Sequence, residues 1–225
     1  LWLGAHHLVV DGVSWRILLE DLLAVYQAPA HDRAAGLMAK TTSLATWSAR
    51  LGDWARSADA EGEIAYWEQV CDAPRVSLPV DRAGGANLAG RAEAVTVALD
   101  AEHTRALLQE VPAVYRTRIQ EVLLAALSRA VGRWAAGALL VNLEGHGREP
   151  LFEDVDCSRT VGWFTTHYPV RLEPSEGRDV RGDLTRAKEL LRGVPRQGIG
   201  YGVLRYLRGD DPRTARLAAA SPELS

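Results

Sequence analysis

Apolar and polar positions change period several times along the chain. Residues 1–10, LWLGAHHLVV, read as a strand ending in a loop, and Asp11 and Gly12 follow as turn residues. Residues 13–28 read as a helix, followed by a loop over 28–36 that contains Pro29. Residues 41–58 read as a second helix. Leu44, Trp47, Leu51 and Trp54 recur there at spacings of three and four, and Thr41, Thr42 and Ser43 are cap candidates. A third helix is expected over 60–73. The stretch 74–90 holds Pro74, Pro79, Gly84, Gly85 and Gly90 with no lasting period, so a boundary is placed there, dividing the chain into 1–83 and 84–225.

Beyond it, residues 92–100 alternate like a strand. Residues 101–111 and 118–135 read as helices broken by Pro112. Residues 138–149 form a strand running into a glycine-punctuated loop, and 158–173 read as a strand pair or a kinked strand. A basic helix follows over 179–194, then a glycine-rich turn and a short helix over 196–209. Residues 213–225 are Ala-rich without a clear closing element. Helices and strands mix throughout, so the fold class is α/β or α+β.

Composition narrows the functional classes. The chain has 225 residues, 47% hydrophobic and 24% charged, with a formal net charge of -3. That is ordinary for a globular protein and gives no footprint for nucleic acid or an anionic membrane face. No apolar run approaches the roughly 20 residues that cross a bilayer. Cys71 and Cys157 match no metal or redox spacing and read as buried thiols in a reducing cytoplasm. The chain starts at Leu1 inside an expected strand, with no signal-peptide pattern, and reads as a segment of something longer.

Two clusters carry candidate chemistry. In HHLVVDG, neighbouring strand residues point to opposite faces, so His6 and His7 cannot both enter one cleft. Asp11 could hold an arginine or cap the next helix, and Gly12 permits a sharp turn. The plainer reading is a strand, turn and helix with incidental histidines. Zinc fits poorly, because no third ligand stands at a recognisable spacing. In LLVNLEGHGRE, Asn142 and Glu144 share one strand face, and the glycines beside His146 allow close approach of backbone or ligand. The plainer reading here is a surface carboxylate at a strand end.

HHLVVDGVSWRILLEDL resembles the HHxxxDG signature of the condensation superfamily, which includes chloramphenicol acetyltransferase-like enzymes. EGHGRE, RTVGWFTTHYPV, GIGYGVLRYL and KTTSLATWSARL resemble the epimerization subfamily of nonribosomal peptide synthetases. The resemblance covers nearly the whole chain. It implies an incomplete two-lobe chloramphenicol acetyltransferase-like fold, with 1–83 ending the N-lobe and 84–225 forming most of the C-lobe. It implies His7 and Glu144 as catalytic groups across a cleft, with His6, Asp11, Gly12, Arg148 and Tyr201 structural or supporting. No cofactor is expected to bind directly. The substrate would arrive on the phosphopantetheine arm of a carrier protein, and the partners would be upstream peptidyl carrier and adenylation domains of a cytoplasmic synthetase. A complete domain of this kind is about twice as long, so the segment alone is expected to be inactive and poorly soluble.

Inverting an α-carbon requires a proton to leave one face and another to arrive on the opposite face. A thioester carbonyl accepts the intervening charge as an enolate, and a histidine and a carboxylate in a water-poor cleft can both exchange protons near neutral pH. Gly12 backbone amides, a protonated His7 and Arg148 are candidate partners for the enolate oxygen. One competing reading is a condensation domain that forms peptide bonds with the same His7 and does not need Glu144. Another is a non-catalytic relative that only docks partners. The presence of His7, Asp11, Gly12 and Glu144 together weighs against that. GIGYG lacks the dinucleotide-loop spacing. The basic run Arg178, Arg181, Arg186, Lys188, Arg192 and Arg196 could meet an acidic carrier, or form a solvated helix face.

Overall fold

The computed structural model describes all residues except 30, 33–35, 83, 87, 136, 176–178 and 210. Arg178, part of the expected 28–36 loop and part of the 74–90 boundary segment lie outside the described residues.

Helix α1 (Gly12–Gln27) begins where Asp11 Oδ1 accepts the Ser14 N–H at 2.7 Å. This cap satisfies one of the first-turn amides that no helical carbonyl reaches. Helix α2 (Leu44–Trp54) is capped the same way by Ser43, so the hydroxyl run before it stays outside the helix. Two short helices follow, α3 (Ala58–Glu61) and α4 (Ile64–Asp72).

Pro112 does not break the next helix. Helix α5 (Ala101–Arg105) runs through a π-helical turn (Ala106–Glu110) into α6 (Val111–Tyr115). The Val111 N–H reaches back five residues to the Ala106 carbonyl. That widened turn accommodates a residue with no N–H. The break falls instead at Arg116, whose φ is 52°. Helix α7 (Ile119–Val131) follows.

Strands β1 (Leu139–Gly145) and β2 (Thr166–Leu172) pair antiparallel, from Leu139 opposite Leu172 to Glu144 opposite His167. Residues 158–165 are irregular, so the expected strand pair reduces to one strand. Helices α8 (Val180–Gly193), α9 (Ile199–Leu207) and α10 (Pro212–Ala219) complete the described elements. The Ala-rich tail does have closing contacts. Helix α10 packs on α4 and α9, and Asn142 N–H donates to the Leu224 carbonyl at 2.7 Å.

Two expected strands do not form. Residues 92–100 join no ladder among the described residues, and Val95 and Val97 are 92% and 89% exposed. Residues 1–6 likewise join no ladder, and His7–Val9 is a 3-10 turn. Alternation provides a strand with two faces, but a ladder also needs a neighbour's donors and acceptors.

One apolar core holds α4, α7, the β1–β2 hairpin, α9 and α10 together. Trp67, Leu139, Leu204 and Leu217 are fully buried in it. It contains residues from both sides of position 83. A smaller cluster of Trp47, Cys157, Phe164 and Ile199 lies beside it and supports the site described next.

Candidate functional site

The HHLVVDG segment turns at its histidines. His6 Nδ1 accepts the Leu8 N–H at 3.1 Å, which folds that ring onto its own backbone. The His7 ring meets Trp163 edge-on at 6.0 Å between centroids, and both histidines are exposed. Gly12 is the first residue of α1, has no positive φ, and has no neighbour near the place where a Cβ would stand. The sharp turn expected of Gly12 is absent, because Asp11 starts the helix by capping it.

Asp11 is a buried hub. Its carboxylate accepts N–H groups from Ser14 and Phe164, the latter at 3.1 Å, and two bonds from Arg148 Nη2 at 3.1 and 3.2 Å. Burial pushes its pKa up, but the hydrogen bonds and the Arg148 charge outweigh this and hold it below its ordinary value. Ser14, which sequence reasoning missed, is fully buried. Its hydroxyl bonds both the carbonyl and the N–H of Gly162 and accepts from Arg148. Its place three residues after a capping aspartate was the available signal.

Arg148 is committed to this scaffold. Nη1 donates to the Cys157 and Thr160 carbonyls at 2.7 Å each, and the guanidinium lies 4.0 Å over the Phe164 ring. Both terminal nitrogens are therefore spent on protein groups, while Nε has no hydrogen-bond partner among the described residues. The turn before it depends on Gly147, whose φ is +68° and whose missing Cβ would collide with the Phe164 carbonyl. His146 Nδ1 accepts the Arg148 N–H at 3.0 Å, and its Nε2 lies 3.5 Å from Glu149.

Glu144 sits on β1 directly opposite His167, so both side chains leave the same face of the hairpin. Glu144 is exposed, and no hydrogen bond or ion pair holds its carboxylate among the described residues. Asn142, two residues earlier on that face, has its amide nitrogen 3.2 Å from His167 Nδ1. A groove of about 1060 Å³ opens beside Asn142 and His167, lined also by Trp163 and Tyr201 among others; neither Glu144 nor His7 lines it. Tyr201 is buried, and its hydroxyl donates to the Leu217 carbonyl at 3.0 Å. Burial pushes its phenol pKa up. Trp163 and His167 were not singled out from sequence, although both stand in the WFTTHYPV motif.

The two motifs, 137 positions apart, thus meet through Asp11 and Arg148. His7 and Glu144 do not touch. They flank the segment that carries Trp163 and His167.

A helical and sheet fold with a histidine motif braced onto a glycine-rich loop defines the class, and comparison with known proteins identifies it. The profile of the family described as Condensation domain matches residues 1–217, and the chain belongs to that family. One of the linear gramicidin synthase proteins of Brevibacillus parabrevis is 49% identical over 93% of this chain and 4% of its own length. Tyrocidine synthase 1 of the same organism is 39% identical over 100% of this chain and 21% of its own length.

Among solved structures, the epimerization domain from the third module of tyrocidine synthetase B superimposes with a TM-score of 0.83 at 39% identity. It covers 90% of this chain and 47% of that one. The first condensation domain of the calcium-dependent antibiotic synthetase shares the fold at a TM-score of 0.66 and 22% identity, covering 86% and 42%. The chain therefore spans under half of each of these domain structures and a small part of the synthases. No described helix is long and apolar enough to cross a membrane.

Proposed function

We propose that the chain is part of an epimerization domain in a nonribosomal peptide synthetase. It acts on an aminoacyl or peptidyl thioester presented on a phosphopantetheine arm and inverts the α-carbon from L to D. The partners in this reading are the carrier and adenylation domains of the same cytoplasmic synthetase. The supporting observation is Glu144, a carboxylate with no partner among the described residues, near the end of β1 and just before the loop that Arg148 anchors to the histidine motif. The higher TM-score against an epimerization domain than against a condensation domain supports the same reading.

In this mechanism Glu144 serves one face of the α-carbon and His7 the other. One removes the α-proton, the electrons move into the thioester carbonyl as an enolate, and the opposite group returns a proton. The first turn of α1 leaves the Gly12 and Val13 N–H groups without helical acceptors, so they are available to the enolate oxygen beside His7. Each positioned acid or base contributes roughly 10²–10⁴-fold. Both groups are exposed in this chain, and in this reading the remainder of the domain closes over them. The chain alone is inactive in this reading.

The test uses the complete domain with substrate loaded on its carrier. Glu144→Gln and His7→Ala are each expected to abolish inversion and to cut solvent deuterium exchange at the α-carbon. Exchange that survives in both variants rejects the pair. Peptide-bond formation without any α-exchange would assign the chain to the condensation reaction instead.

A further inference from the structure

The basic run along α8 is not used by the proposed chemistry, and it lines a second cavity. A groove of about 830 Å³ opens between the end of α6 and one face of α8. Arg181, Lys188 and Arg192 stand on that face at spacings of seven and four, and Arg116 faces them from the turn after α6. Among the described residues the only acid lining it is Glu189. Four cations against one acid is a strong local excess in a chain whose net charge is -3.

Arg192 is internally compensated, since its Nε donates to the buried Glu121 at 2.8 Å and its Nη2 to the Arg116 carbonyl. Arg116, Arg181 and Lys188 have no ion-pair partner among the described residues. Two further observations fall in the same groove. Thr117 lines it and is only 8% exposed, yet its hydroxyl has no hydrogen-bond partner among the described residues. A buried hydroxyl without a partner is destabilising unless something outside the fold satisfies it. Arg116 adopts the left-handed backbone conformation that non-glycine residues seldom take, and this sets it at the groove's rim.

We propose that this groove binds an oligophosphate anion, either inorganic diphosphate or the phosphate chain of a nucleotide. Three uncompensated cations against the one lining acid, Glu189, leave the groove net positive, which favours a multiply charged anion such as diphosphate. Seven residues of helix separate Arg181 from Lys188 by about 10 Å, a span that a chain of two or three phosphates can bridge. The Thr117 hydroxyl adds a neutral donor at the edge of the anion, and Tyr115 in the groove wall offers a ring to a nucleobase. The cavity falls within the usual 300–1,000 Å³ range for small-molecule sites (on the order of one nucleotide).

The experiment is isothermal titration of the complete domain with sodium diphosphate and, separately, with ATP, with sulfate as the control anion. Saturable 1:1 binding of diphosphate, weakened about tenfold or more by Lys188→Glu and by Arg181→Glu, is expected. Arg91→Glu, an exposed charge reversal outside the groove, should leave affinity unchanged. Thr117→Val removes a hydroxyl that has no partner among the described residues, so it should weaken binding without lowering the melting temperature. Equal affinities for diphosphate and ATP identify the phosphates as the whole ligand. Tighter ATP binding that Tyr115→Ala abolishes adds the base. No saturable heat with either anion, or binding that sulfate matches and the two charge reversals leave intact, overturns the proposal.

Discussion

Arg148 Nη2 bonds both carboxylate oxygens of Asp11, at 3.1 and 3.2 Å, and so ties the histidine motif to the loop that follows Glu144 and β1. The two side chains are 6% and 3% exposed, so neither charge can fall back on water if its partner is lost. Arg148→Leu should therefore destabilise the fold by about 3–5 kcal/mol, because it strands the Asp11 charge in the interior. Removing Arg50 from its pair with Asp154, where the side chains are 43% and 66% exposed, should cost about 1 kcal/mol or less. Urea midpoints of the two variants test the contrast. Similar losses in both would mean that Arg148 holds nothing together.

Acid should unfold the protein through its buried carboxylates. Burial pushes the Asp183 pKa up, but hydrogen bonds from Ser175, Arg129 and Arg186 more than reverse this and hold it below its ordinary value of 3.8. Glu121 is lowered from 4.5 in the same way, burial being outweighed by Arg192 and the Arg118 N–H. A depressed folded pKa means that the unfolded chain binds protons first. The stabilisation is thus complete above the unfolded values and fades as pH falls through the folded ones. Urea midpoints should be flat from pH 7 to about 5 on this account and fall steeply below about 4. Asp183→Asn should start lower at pH 7 and lose less on acidification. An identical acid slope in that variant would exclude Asp183 as a contributor.

Helices such as α4, α7 and α9 and the β1–β2 segments could be read from periodicity, because each buries one face against the core. Features set by distant partners could not. The segment over 92–100 has the alternation of a strand but no neighbour among the described residues to complete a ladder. Pro112 reads as a helix breaker because a π-turn leaves no mark in a 3.6-residue pattern. In the site, HHLVVDG and EGHGRE were visible as motifs, and the arginine that Asp11 could hold lies 137 residues away, beyond any local spacing rule. His167 carries no local signal for the same reason, since it stands opposite Glu144 only through the hairpin register.

Neither cysteine should react in the native state. Cys71 and Cys157 are both free and buried. Burial, the largest cause, pushes the Cys71 thiol up to about 11, and burial raises Cys157 as well. The thiolate is the reactive form, and at pH 8 little of it exists at Cys71. Ellman's reagent should find these two thiols silent in the folded protein and reactive in 6 M guanidinium. A thiol that reacts within seconds before unfolding would contradict the burial described.

Gly12 and Gly147 both stand in the recognisable motifs, yet their backbones make opposite demands. Gly12 begins α1 in open space, so an added Cβ meets nothing and restricts the unfolded chain. Gly12→Ala should leave stability unchanged or raise it by up to about 1 kcal/mol. Gly147 has φ +68°, and a Cβ there would enter the space of the Phe164 carbonyl, whose own N–H is bonded to Asp11. Gly147→Ala must therefore move either the loop that carries Arg148 or the segment that receives it. A loss of several kcal/mol is expected, combining backbone strain of about 1–3 kcal/mol with the disrupted Asp11–Arg148 contact. Thermal melts of the two alanine variants separate the cases. If Gly147→Ala melted with the parent protein, the close approach of the Gly147 turn to Phe164 would not be what fixes the loop after β1.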